Sequence, residues 1–249
     1  MSVDAGSPLA PMLHKFERRC LLSDDDRRAV LGLPYRLETI AAQAAVVCEG
    51  EVATHSCLLR SGLAFRQKVT ISGKRQICSI QVAGDMVDLQ NSLLRVADHN
   101  VVALTRIEVA FIPREAVLDV AFTRRALGEA MWFDTLVDAS ISREWLTSAA
   151  QHDARTRVAR LLCEFGRRFE QAELGTATDY ELPVSQEFLG DCTGLTSVHV
   201  NRMLRSLKDE GLLTMSKGWV KILDWQGLAQ AGEFDGLYLH LPEDQIGLD

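Results

Sequence analysis

Between Ala126 and Thr147 the apolar residues Leu127, Met131, Val137, Ile141 and Trp145 recur mostly at four-residue steps, with one irregular step in the middle. The surrounding stretch from Arg114 to Arg168 contains no proline. This spacing predicts a long amphipathic helix. Its stripe needs a cover, and two remain open: the core of the same molecule, or the seam between two copies, because no strict heptad is held. From Tyr35 to Pro113 the apolar positions come instead as short runs rich in Val, Ile and Thr, punctuated by Gly62, Gly73 and Gly84. Phe65 to Ile71, a Ser72-Gly73-Lys74 turn and Gln76 to Val82 predict a hairpin, and Val101 to Ile112 a further strand. Strands spaced about ten residues apart predict a sandwich, jelly roll or barrel.

Shorter signals fill the ends. Ser23 ahead of Asp24, Asp25 and Asp26 is a capping residue followed by carboxylates suited to the positive end of a helix dipole, and Pro34 is the stop. A second helix is predicted over Arg155 to Glu173, followed by a polar connector from Leu174 to Asp179. Near the end, the strand-like pieces Leu213 to Ser216 and Trp219 to Leu223 flank a Lys217-Gly218 turn. The fold class is α+β.

Composition narrows the function classes. With 249 residues, 47% of them hydrophobic, the chain can bury a sizeable core, which excludes a disordered or collagen-like protein. Lys15, Arg18 and Arg19 interrupt any signal-peptide core and no spanning segment is visible, so a cytoplasmic protein without a membrane partner is expected. Cys20, Cys48, Cys57, Cys78, Cys163 and Cys192 are scattered, with no close pair, which reads as a reduced interior using cysteine as a small hydrophobe; no metal site is expected. There is no Gly-x-Ser-x-Gly elbow, His-Glu-x-x-His pair or phosphate-cradling glycine loop, which argues against an enzyme. The net charge of -7 speaks against nucleic acid until it is localised. Residues 226–249 hold five acidic and no basic side chains, whereas Thr196 to Lys221 hold Arg202, Arg205, Lys208, Lys217 and Lys221 against Asp209 and Glu210.

That basic window adjoins the most informative segment, Gln186 to Arg205. A helix-turn-helix needs a small residue where two helices cross, a turn residue that tolerates a left-handed backbone, and apolar contacts between the helices. Gly190, Gly194 and the set Leu189, Leu195, Val200 and Met203 supply them, while Thr193 is a weaker fit at a position usually apolar. Ser185 and Thr196 are placed as helix caps. Ser197, Val198, Asn201 and Arg202 then project away from the apolar set toward base edges, with His199 nearer the backbone side. Arg202 is the expected guanine contact, because its fork matches O6 and N7 together. Ser185, His199 and Lys208 suit phosphates, and Lys217 suits a wing.

Strands, a long helix, a helix-turn-helix and a glycine-centred hairpin in this order resemble the Crp/Fnr family of bacterial transcription regulators, over about Leu13 to Trp225. Ser61-Gly62-Leu63, Gly73-Lys74-Arg75-Gln76-Ile77 and Ala83-Gly84-Asp85 resemble the turns of that family's β-roll, and Gly194-Leu195-Thr196 with Val200-Asn201-Arg202-Met203-Leu204 its recognition helix. The resemblance implies an N-terminal β-roll (jelly roll) sensor domain over 1–122, a dimerisation helix over 123–150, a C-terminal winged helix-turn-helix over 151–225 and an acidic tail over 226–249. It moves the stripe Leu127, Met131, Val137, Ile141 and Trp145 toward a parallel homodimer seam. It also implies a palindromic promoter operator read through 196–208, with RNA polymerase as a candidate partner. Three departures stand out. Members that bind cyclic AMP carry Gly-Glu and then Arg-Ser or Arg-Thr for the cyclic phosphate, whereas here Gly84 is followed by Asp85, and Ala97 and Asp98 stand where the arginine and hydroxyl belong. Val198 replaces a glutamate common in the recognition helix. Cys20 has no close companions for an iron-sulfur cluster. No cofactor is therefore expected, and the effector is unknown or absent. The competing readings are a protein-interaction module using the winged helix without DNA, and a cyclic-nucleotide-responsive regulator.

Overall fold

The computed structural model describes residues 6–241. The chain divides into two compact units, Met1–Lys68 with Ile80–Ala139, and Val69–Ser79 with Ser140–Asp249. In the order of the chain the elements are α1 (Ala10–Glu17), α2 (Asp24–Leu31), β1 (Arg36–Ile40), β2 (Ala45–Val47), β3 (His55–Ser61), β4 (Ala64–Val69), β5 (Arg75–Gln81), α3 (Asn91–Leu94), β6 (Asn100–Ala103), β7 (Ile107–Pro113), α4 (Arg114–Thr123) and α5 (Arg125–Gln151). There follow α6 (Ala154–Gln171), β8 (Gly175–Thr176), β9 (Asp179–Glu181), α7 (Gln186–Thr193), α8 (Ser197–Asp209), β10 (Leu213–Ser216), β11 (Trp219–Ile222) and α9 (Trp225–Ala231).

Two sheets, ordered β1-β7-β3 and β2-β6-β4-β5, form the strand-rich part. The two-residue period of β7 sends Ile107 and Val109 into an inner core with Cys57, Leu59, Ala64, Val101 and Ala103. Ala110 and Ile112, on the opposite face, join Leu58 beneath a layer of helices that contributes Leu9, Met12, Leu13, Phe16, Val117, Leu127 and Met131. The Ser23 cap forms as a reciprocal box, accepting from the Asp26 amide at 3.2 Å while Asp26 accepts from the Ser23 amide at 3.1 Å. The helix starts at Asp24 because the carboxylates occupy its first turn.

Asp88 lies inside this unit, 2% exposed, with its Oδ1 accepting the Cys57 amide at 2.7 Å. Burial pushes its carboxyl up to about 6. Above that pH the folded chain holds a desolvated charge that the unfolded chain solvates, so Asp88 lowers stability at neutrality and the penalty fades as pH falls through 6 toward 4. Asp88→Asn is expected to stabilise the protein by about 1–3 kcal/mol near pH 7. Its advantage over wild type should vanish by about pH 4 in paired denaturant titrations, and a pH-independent difference would contradict the assignment.

In the second unit, α6 is the hub. Glu164, 1% exposed, accepts from the Trp145 indole at 2.8 Å and from the Tyr238 hydroxyl at 2.8 Å. Arg160, 6% exposed, pairs with Glu144 and lies over the rings of Phe234 and Tyr238. Among the described residues after Trp225, α9 and the 3-10 turn Gly236–Leu239 carry the buried Leu228, Tyr238 and Leu239, and Leu241 is buried beyond them. Of the acidic residues expected there, Glu243, Asp244 and Asp249 lie outside the described residues. The hairpin residues 69–79, expected within the roll, belong to this unit. Arg75 Nε donates to Asp191 Oδ2 at 2.7 Å and Gln76 Nε2 to the Asp191 carbonyl at 2.7 Å, which holds the C-terminal half of α7.

The long helix α5 carries two stripes. The expected seam residues Leu127, Met131, Val137 and Ile141 are 0%, 5%, 8% and 5% exposed within a single chain, and Trp145 is half-buried against Phe165 and Glu164. Within the single chain these side chains face the protomer's own interior. On the opposite side, Glu129, Trp132, Leu136, Ala139, Arg143, Leu146 and Ala150 are exposed, at alternating steps of three and four residues. That stripe is the strict heptad, with Trp132, Leu136 and Leu146 at 66%, 52% and 70% exposure.

Candidate nucleic-acid interface

The geometry of α7 and α8 follows from local chemistry. Ser185 Oγ accepts the Phe188 amide at 3.1 Å and Thr196 Oγ1 accepts the His199 amide at 3.3 Å, so both helices start on side-chain caps. Gly194 ends α7 with φ of 69°, a left-handed cap that a side chain would disfavour. A Cβ on Gly190 would stand 2.5 Å from the Leu195 carbonyl oxygen, so only glycine permits the crossing. From α6, Arg157 donates to the Thr193 carbonyl at 3.2 Å and holds the turn.

On α8, Val200, Leu204 and Leu207 face inward. The remaining arc exposes Ser197, Val198, Asn201, Arg202, Arg205 and Lys208, with His199 at its edge, so the expected reading residues share one face. Val198 is 74% exposed, an apolar group suited to a thymine methyl. Among the described residues, the side chains of Arg202, Lys208 and Lys217 make no ion pair or hydrogen bond, whereas Arg205 has Asp209 at 3.9 Å. Asn201 is held: its amide donates to Gln186 Oε1 at 3.0 Å, across the two helices. His199 Nδ1 lies 3.1 Å from Thr196 Oγ1. The Lys217-Gly218 turn joins β10 and β11 with Ser216 paired to Trp219, both turn residues at positive φ, and β9 and β8 complete a four-stranded wing sheet. Gln186 and Arg157 escape the sequence reading as site residues, because their contacts with Asn201 and Thr193 come from the helix crossing rather than from any local pattern.

In the strand-rich unit, the residues at the positions matched to the cyclic-phosphate motif have partners of their own or are buried. Asp85 is taken by Lys15, with Nζ 2.9 Å from Oδ1, and also accepts the Val82 amide at 2.9 Å. Ala97 is buried, and Asp98 lies 2.6 Å from His99 Nδ1, which holds its carboxyl below the usual range. All six cysteines are free. Burial raises the Cys57 and Cys192 thiols well above the usual value and Cys163 to about 12, as befits inert core groups. Among the described residues no group of three His, Cys, Asp or Glu side chains could hold a metal ion, and no helix is long and apolar enough to cross a membrane.

Known proteins match both halves of this architecture. Residues 156–231 match the Crp-like helix-turn-helix domain and residues 37–124 the cyclic nucleotide-binding domain. The transcriptional activator protein FnrL of Cereibacter sphaeroides is 22% identical over 215 residues, 85% of this chain and 86% of that protein. The chain belongs to the Crp/Fnr family. A probable transcriptional activator of Rhizobium leguminosarum bv. viciae is 25% identical over 70% of this chain and 71% of its own. The structure of FixK2 from Bradyrhizobium japonicum superposes with a TM-score of 0.72 at 22% identity, covering 80% of this chain and 98% of that one. This Crp/Fnr protein is a transcription regulator with a helix-turn-helix DNA-binding domain, following a cyclic nucleotide-binding-type domain of mixed helix and sheet.

Proposed function

We propose that this Crp/Fnr regulator is a cytoplasmic, non-catalytic homodimer that reads a palindromic operator through α8 and acts with RNA polymerase as its partner at the promoter. The supporting observation is the unobstructed arc on α8, where Ser197, Val198, Asn201 and Arg202 point away from the buried face. In this reading Arg202 takes a guanine, Val198 a methyl group, and Gln186 aims Asn201 at an adenine edge. Ser185, Thr196, His199, Lys208 and Lys217 hold phosphates and set the register. The second copy docks along the exposed heptad of α5, which brings two recognition helices to half-sites about one helical turn apart. Domain roles divide accordingly: a roll up to about residue 122, the seam helix over 123–150, and a reading domain that extends past residue 225 through α9.

The experiment is selection of bound fragments from a random-sequence pool, followed by titration of the recovered site as salt is raised. Recovery of an inverted repeat, with affinity falling steeply in salt, supports the reading. Enrichment of no sequence over the starting pool overturns it.

A further inference from the structure

The inward stripe of α5 contains an anomaly. Leu127, Met131, Ile141 and Trp145 would form a regular heptad face if positions 134 and 138 were apolar, but both are aspartates. Asp134 is met by Lys15 from α1, Nζ to Oδ2 2.8 Å, with Arg19 Nε 3.6 Å from Oδ1. Asp138 is met by Arg66 from β4. Both cations also hold the turn that follows β5: Lys15 binds Asp85 at 2.9 Å, and Arg66 Nε donates to the Val87 carbonyl at 2.9 Å. The side chains of Lys15, Asp85, Asp134, Arg19 and Arg66 are between 8% and 26% exposed, and that of Asp138 34%.

We propose that Lys15 and Arg66 are positioning residues that fix the rotation of α5 about its own axis, and so decide which stripe of the helix meets a second copy of this chain. The inference rests on the dimer reading above. Apolar packing is non-directional, and α5 has apolar side chains on two opposite faces, so packing alone leaves alternative rotations close in energy. Rotating the helix by one residue would swing both aspartates off their cations and strand buried charges, a cost that apolar contacts do not impose. The two pins, one turn apart at the middle of the helix, hold Trp132, Leu136 and Ala139 outward. Because both run through the turn carrying Asp85 and Val87, the chain's own cations tie that turn to the seam helix, and the seam is set with no added small molecule.

Sedimentation equilibrium of the full chain, with no nucleotide present, tests the proposal. Two sets of changes are compared with wild type: Asp138→Asn alone, which removes the more exposed partner and is the milder test of folding, and Lys15→Met and Arg19→Met with Asp85→Asn and Asp134→Asn, which removes both cations together with the aspartates they face. L136C is added to each background to report the seam by oxidative crosslinking, with the six native cysteines as the parental control. The expected result is a dimer dissociation constant raised about tenfold or more, and a reduced L136C crosslink, with cooperative melting retained. Dimer affinity and crosslink yield unchanged in both variants would overturn the proposal while leaving the dimer reading intact. A wild-type chain that is monomeric, or that dimerises only after a small molecule is added, would overturn the dimer reading or the ligand-free pin respectively.

Discussion

Arg202→Ala is expected to weaken sequence preference sharply while leaving the fold and the non-specific affinity nearly intact. Arg202 is exposed on α8 and free of ion pairs among the described residues, so its removal strands no buried group. A bidentate guanine contact contributes about 1–3 kcal/mol of discrimination, and a dimer loses two of them, which corresponds to roughly 30-fold to more than 1,000-fold on the selected operator. Binding to random duplex should fall by no more than a few-fold, with a salt slope reduced by about one per lost phosphate contact at most. Parallel titrations of operator and scrambled DNA measure both. An equal loss on the two would make Arg202 a phosphate contact and move the reading function to Ser197, Val198 and Asn201.

Leu136→Asp is expected to yield a folded monomer. Leu136 sits at the centre of the exposed stripe, 52% exposed in the single chain, so an aspartate costs the protomer little. Across a parallel seam, two aspartates would face one another in an apolar contact, which opposes association by several kcal/mol. Sedimentation should show a single-chain mass with the melting transition nearly unchanged. Operator affinity should drop by about 100-fold or more, because each recognition helix then binds without the effective concentration that its partner supplies. The contrasting change Leu127→Asp, at a position with 0% exposure, should unfold the protomer instead of dissociating it. A persistent dimer in Leu136→Asp would place the seam elsewhere.

The reading domain is the part of this regulator most legible in sequence, and the reason is the range of its interactions. Ser185 and Thr196 cap amides three residues ahead, Gly194 closes α7 on its own last turn, and Lys217-Gly218 turns the chain between adjacent strands. Each device is completed within a few residues, so the residue order specifies it. The acidic total misled for the complementary reason: net charge sums over the chain, whereas the exposed arc of α8 carries Arg202, Arg205 and Lys208. The C-terminal segment looked like a tail because its charge is conspicuous and its anchors are not. α9 packs on α6, and Tyr238 bonds Glu164 of that helix, 74 residues earlier in the chain.

By itself, then, the sequence determined the helix-turn-helix, its wing, the family likeness and the existence of a long amphipathic helix. Tertiary structure alone decided which side of that helix is free. Leu127 and Leu136 are equally apolar, and spacing records that a stripe exists without recording what covers it. The deciding contacts, Lys15 to Asp85 and Asp134 and Arg66 to Asp138, join residues 70 to 119 positions apart. Their pairing depends on where β4, α1 and α5 meet in space, which no local rule of spacing or propensity encodes.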